Sequence, residues 1–201
     1  MYYAELETDK YIRENFFPNF LEKKVMVEVG AGPVDFFSMS KHFRDHGWRC
    51  ICIDPNPKFV ESHKKAGNEI YQFACANEEK LSSFKIVETG WPQHANGISY
   101  SAIDLKYPLK GSHKIKEIKV QILKLNTLLD KIKVEKVDFV SIDTEGWELE
   151  VMKGFDTKKY QPEIILLENY LYLPEYETYM KSIGYELVNK IKYNYIFKIK
   201  K

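Results

Sequence analysis

At 201 residues the chain is long enough for one well-buried domain and tight for two. Lys and Arg total 30 and Asp and Glu 29, a net charge of +1, so no global field directs the chain to nucleic acid or a membrane surface. No apolar run approaches the roughly 18 residues of a membrane helix, and the N-terminus lacks a charged-then-apolar signal.

Asp9 to Phe17 is periodic and reads as a helix. Val25 to Val29 is a β-branched run that stops at Gly30-Ala31-Gly32, and an amphipathic stretch from Phe36 to His46 follows, closing at Gly47. A buried strand, a glycine turn and a helix start form the arrangement that offers backbone N–H groups to a nucleotide-like ligand. Cys50 to Asp54 is the second strand, and its terminal acid is placed to accept hydrogen bonds from ribose hydroxyls. Cys50, Cys52 and Cys75 make no disulfide framework, and the first two suit reduced core thiols. A cytoplasmic protein is expected, with no membrane insertion.

A helix over Lys58 to Ala66 leads to a third strand, Glu69 to Phe73. The long segment to Lys136 holds a polar, glycine-punctuated stretch with Trp91, His94 and Tyr100, a strand-like alternation over Ile118 to Ile122, and a short helix from Thr127 to Ile132. A structureless loop of that length is uncommon. Residues 76–136 are therefore read as an insertion with small elements of its own, over the sheet edge where ligands bind. Strands at Val137–Ile142, Glu163–Glu168, Tyr185–Asn189 and Tyr193–Lys198 follow, with helices at Trp147–Lys153 and Pro174–Ile183. The alternation predicts a single α/β domain with a seven-stranded, mostly parallel sheet and helices on both faces, ending in an antiparallel hairpin.

Two stretches carry a family resemblance. Glu28-Val29-Gly30-Ala31-Gly32 resembles the first motif of S-adenosylmethionine-dependent methyltransferases, and Asp35 stands where a dinucleotide-binding pattern needs a third glycine. Val137 to Asp156, with Ile142-Asp143-Thr144-Glu145-Gly146-Trp147-Glu148-Leu149-Glu150 at its centre, resembles the signature of the FkbM-type methyltransferases. Asp54-Pro55-Asn56-Pro57, Leu125 to Leu129 and Gly184-Tyr185 follow the family's order, so the resemblance covers nearly the whole chain. The family usually has a small residue at Trp147 and often a glycine at Val34.

The resemblance implies a class I, Rossmann-like methyltransferase fold that uses S-adenosylmethionine to methylate an oxygen. The acceptor it implies is a small molecule or glycan, commonly a sugar hydroxyl. Gly30, Ala31, Gly32, Asp54 and Pro55 would form the cofactor cleft, with Glu28 orienting the methionyl end and Ala74-Cys75 bordering the adenine. Asp143 and Glu145, at the tip of the fourth strand, and His94 in the insertion are candidate bases. Glu148 and Glu150 read as acids on an exposed helix start, stabilised by its dipole. His42, His46 and His63 fall on predicted surface helices. Asp143, Glu168 and Asn169, on adjacent strand tips, resemble the cation site of catechol-type O-methyltransferases and suit Mg²⁺. A non-catalytic binding module, or a nicotinamide-dependent oxidoreductase, are the alternatives; charge balance gives nucleic-acid methylation no support.

Overall fold

The computed structural model describes residues 1–89, 99–103, 106 and 113–200. After a short 3₁₀ turn, Glu5–Glu7, the chain forms α1 (Thr8–Phe16), β1 (Val25–Val29), α2 (Met39–Asp45), β2 (Arg49–Ile53), α3 (Pro57–Lys65) and β3 (Ile70–Tyr71). Next come β4 (Ala74–Cys75), β5 (Lys80–Thr89), β6 (Ser99–Ala102), β7 (His113–Leu123) and α4 (Leu125–Lys131). The C-terminal part is β8 (Phe139–Ile142), α5 (Glu148–Lys153), α6 (Thr157–Tyr160), β9 (Ile164–Glu168), α7 (Glu175–Ser182), β10 (Tyr185–Ile191) and β11 (Asn194–Ile199). Among the described residues no helix is long and apolar enough to cross a membrane.

Seven strands form the main sheet in the order β10-β11-β9-β8-β1-β2-β3. β1, β2, β3, β8 and β9 pair in parallel, and β11 runs antiparallel between β9 and β10. The mostly parallel sheet with its closing hairpin is the expected one. Central parallel strands are covered on both faces, which is why they read as continuous apolar runs. Alternate residues feed two cores. Val27, Val29, Val140 and Ile142 pack with α4, α5 and α7 through Leu128, Val151 and Met180. Met26, Cys50, Phe139 and Ile164 pack with α1 and α2 through Ile12 and Phe43. Each fully buried side chain of this size contributes about 1.5–3 kcal/mol.

Two expectations need correction. The helix after the glycine turn begins at Met39 rather than Phe36, because Phe37 takes a left-handed φ of 53° that no helix accommodates. The third strand is only two residues long, and the chain then leaves the main sheet: Ala74 and Cys75 pair with Ile122 and Leu123 of β7. The intervening segment builds a second, four-stranded sheet, β4-β7-β5-β6, around a long β5/β7 ladder from Lys80↔Ile122 to Thr89↔His113. Its inner face is a small core of Ala74, Phe84, Ile86, Val120 and Ile122, against which Trp147 packs. The second sheet thus sits beside the C-terminal end of β8. Trp91 and His94 lie outside the described residues.

Candidate active site

The C-terminal ends of β1, β2 and β8 border a cleft of about 230 Å³. Gly30, Ala31 and Gly32 line one side, and Asp54 and Pro55 follow from β2. Phe59, Phe73, Ala74, Cys75 and Phe84 form an apolar wall, while Asp143, Thr144, Glu145 and Trp147 close the other end. The wall is apolar, and polar groups stand on either side of it.

The glycine turn works differently from an anion cradle. The N–H groups of Gly30 and Ala31 donate to the Ile53 carbonyl at 2.9 and 3.1 Å, and Gly32 N–H donates to Asp54 Oδ2 at 2.9 Å. The expected presentation of free N–H groups is therefore overturned: the turn spends them on β2. What it offers a ligand is carbonyl oxygen and space. Gly30 is required by contact as well as by φ (+82°), since an added Cβ would lie 1.7 Å from the Asp143 carbonyl oxygen. Gly32 (φ +58°) has no atom within 4 Å of such a Cβ.

His63 fastens this turn from below. It is fully buried, not solvated as its helix position suggests, with Nε2 3.1 Å from the Gly32 carbonyl and Nδ1 3.2 Å from the Asn68 amide. The Asn68 amide donates to Nδ1, so Nε2 carries the proton that reaches Gly32. Burial holds the ring's pKa below the ordinary histidine value, which favours that neutral form. His42 is likewise buried, and its Nδ1 meets the Met1 carbonyl at 2.8 Å.

Asp54 is buried at the cleft and accepts from Gly32 N–H and Asn56 N–H (2.8 Å). Burial pushes its pKa up to about 6, against the pull of those two donors. Glu28 does not reach the cleft lining. It is buried, and its Oε1 accepts from the N–H groups of Met39 (2.9 Å) and Ser40 (3.2 Å), the first turn of α2. It satisfies that helix end and complements its dipole.

At the tip of β8, Asp143 stays open to water on the cleft floor, but protein crowds it on most sides. That crowding raises its pKa, and the nearby Glu148 charge adds to the rise. Glu145 sits at a left-handed φ of 59°, and its carboxyl is raised by burial and by Asp143. Glu168 ends β9 and is raised by burial and by the same two acids. Ligand oxygens of Asp143, Glu145 and Glu168 lie within 4.8 Å of one another. Asn169 turns away: its side chain accepts from Leu173 N–H and donates to the Leu173 carbonyl, both at 2.9 Å. The acids that come together are therefore Asp143, Glu145 and Glu168, and the Asn169 side chain is bonded to Leu173 instead.

The residue that sequence reasoning misplaced most is Glu148. It is fully buried rather than exposed. Its Oε1 accepts from the N–H groups of Thr144 (2.8 Å) and Gly146 (3.0 Å), and its Oε2 accepts from the Tyr176 hydroxyl at 2.5 Å. Glu148 thus ties the loop that carries Glu145 to α7. The acid three residues past Glu145 was the available signal, but helix-start acids are usually explained by the dipole alone.

A family model described as Methyltransferase FkbM domain matches residues 28–187. The chain belongs to the FkbM methyltransferase family. No curated protein matches it. The FkbM match begins at Glu28, beneath the glycine turn, and ends at Leu187 in the closing hairpin, so it takes in the cleft and all three clustered carboxylates.

Proposed function

We propose that this FkbM methyltransferase uses S-adenosylmethionine to methylate a hydroxyl of a sugar, in a glycan, glycolipid or glycosylated metabolite. The observation that carries the reading is the single cleft in which Asp54, an apolar aromatic wall and the Asp143–Glu145 pair all meet. Asp54 would hold the ribose hydroxyls, the wall around Phe73 to Cys75 the adenine, and the carbonyls of the glycine turn the ammonium group. S-adenosylmethionine, when bound, supplies an electrophilic methyl carbon. The acceptor class rests on the family resemblance.

The chain's own contribution is placement and deprotonation. Asp143 or Glu145 accepts the acceptor's hydroxyl proton, and a carboxylate raised towards neutrality is a stronger base for that purpose. Asp143→Asn and Glu145→Gln are expected to lower kcat by about 10²–10⁴ where each group acts as the base. Single-turnover rates, measured with saturating donor and a panel of hexose and deoxyhexose glycosides, check this. A kcat unchanged in both variants would remove the carboxylates from the proton transfer. Calorimetry showing nicotinamide dinucleotide binding without methyl-donor binding would refute the reading as a whole.

Donor binding should also depend on pH through Asp54. Ribose hydroxyls donate to the ionised carboxylate, so affinity should fall as pH drops through about 6. The same shift acts oppositely on the free protein. A carboxyl raised above its unfolded value favours folding below that value, and the contribution is lost as pH rises through about 6. Calorimetric titrations with S-adenosylhomocysteine between pH 5 and pH 8 test it, with Asp54→Asn expected to flatten the profile.

A further inference from the structure

A second hollow, of about 810 Å³, is formed by α5, α7 and the loop that leaves β9. Its size falls within the roughly 300–1,000 Å³ of small-molecule sites. It shares a wall with the cleft: Gly146 lines this hollow, while its neighbours Glu145 and Trp147 line the cleft. Most polar side chains around the hollow are spent on the protein itself. Lys106 Nζ donates to the Gly146 carbonyl at 2.7 Å, and Lys153 pairs with Glu150. The Thr178 and Ser182 hydroxyls donate to the Pro174 and Tyr179 carbonyls, and the Tyr176 hydroxyl donates to Glu148. The rest of the lining is largely apolar: Leu149, Leu171, Leu173, Pro174 and the Tyr179 ring. The loop itself is fixed. Buried Asn169 bonds both the N–H and the carbonyl of Leu173 through its side chain, and its own N–H donates to the Tyr193 carbonyl at 2.7 Å. On that fixed loop Tyr170, Leu171 and Tyr172 are all exposed. Large apolar side chains grouped in water beside a hollow mark an interaction site.

We propose that this hollow binds the apolar tail of the acceptor, an alkyl or acyl chain attached to the sugar that is methylated. The inference rests on the methyl-transfer reading and narrows its acceptor to an amphipathic one. A glycan chain needs free donors and acceptors along its length, and here most of them are already engaged. A hydrocarbon chain needs only apolar surface that shields it from water. The shared wall sets the direction. A tail lying against Leu149 and Leu171 leaves its polar head at the Glu145–Trp147 loop, and Glu145 lines the cleft together with Asp143. Binding energy from the remote, non-reacting tail would then hold the reacting hydroxyl at the cleft.

The test compares n-octyl β-D-glucoside, kept below its micelle concentration, with methyl β-D-glucoside. Binding to the whole chain is followed by NMR of ¹³C-methyl-labelled leucine, with no methyl donor present. The octyl compound should bind wild type about tenfold or more tightly than the methyl compound. It should also shift the methyl resonances of Leu149, Leu171 and Leu173. Leu171→Asp should weaken octyl glucoside binding by about tenfold, and Leu171→Met should retain it. Leu171 is exposed, so both variants should fold, and their melting temperatures check that. Three results would overturn the site: equal affinity for the two glucosides, leucine shifts confined to residues away from the hollow, or octyl glucoside affinity unchanged in Leu171→Asp. Shifts of the same three leucines with maltotetraose and not with octyl glucoside would instead assign the hollow to a glycan chain. The readout needs no methyl donor, so failure of the tail site registers here and failure of the methyl-transfer reading registers in donor calorimetry.

Discussion

Gly30→Ala should abolish methyl-donor binding and strip the chain of most of its stability. Two penalties coincide at this position. The backbone is at φ +82°, where an L side chain costs roughly 1–2 kcal/mol. The new Cβ would also lie 1.7 Å from the Asp143 carbonyl oxygen and 2.8 Å from its carbon, and both are backbone atoms of the neighbouring strand tip. Rotating a side chain cannot relieve that overlap, so β1 and β8 must separate where Asp143 N–H donates to the Val29 carbonyl at 2.9 Å. A total above about 4 kcal/mol is expected, within the range reserved for backbone clashes and lost buried bonds. Small domains hold only about 5–15 kcal/mol in all. Gly32→Ala is the control. Its Cβ meets no atom within 4 Å, so its cost is limited to the φ penalty of about 1–2 kcal/mol. Urea denaturation and calorimetry of both variants distinguish the two positions. A Gly30→Ala protein with wild-type midpoint and donor affinity would mean that the glycine turn and Asp143 are not in contact.

The main sheet was legible because buried parallel strands leave continuous apolar runs that few other structures produce. That the glycine turn and Asp54 share one cleft was legible from their spacing, but the use the turn makes of its N–H groups was not. Elsewhere the sequence carried the signal in a form that local reading could not decode. Phe36 and Phe37 extend the helical periodicity of α2, yet both line the cleft, and their apolar character serves the pocket instead of a helix face. The β5 strand mixes lysine, serine and aliphatic residues because only one of its faces meets the small core around Phe84 and Ile86. Glu28 could have been placed by alternation. Val27 and Val29 belong to one core and Met26 to the other, so Glu28 points with Met26 towards α2 and away from the cleft. His63 and Glu148 were out of reach for a different reason. Their partners Gly32 and Tyr176 stand 31 and 28 residues away, and nothing local distinguishes a buried acid or histidine from a solvated one.

Glu148→Ala should separate donor binding from turnover more sharply than any change at the cleft itself. Truncation leaves the Thr144 and Gly146 N–H groups and the buried Tyr176 hydroxyl without their shared acceptor. At roughly 1–3 kcal/mol for each buried group left unsatisfied, a loss of about 3–5 kcal/mol of stability is expected. The loop from Thr144 to Gly146 would then lose the anchor that keeps Glu145 at its left-handed φ of 59°. Glu145 would relax towards an ordinary backbone conformation, and its carboxylate would leave the cleft. A displacement near 1 Å is enough to cost about 10²-fold in rate. Glu148 is not among the residues that line the cleft with Asp54, Phe73 and Cys75, so affinity at the proposed donor site should hold while kcat falls. Glu148→Gln is the informative companion. Its amide oxygen can still accept both backbone N–H groups, and the NH₂ can donate to the Tyr176 oxygen, so stability and turnover should largely return. Denaturant midpoints, donor calorimetry and single-turnover rates on the two variants decide the matter. If Glu148→Ala lost donor affinity and kcat together, or if Glu148→Gln were no better than Ala, Glu148 would act through general destabilisation and not by positioning the loop.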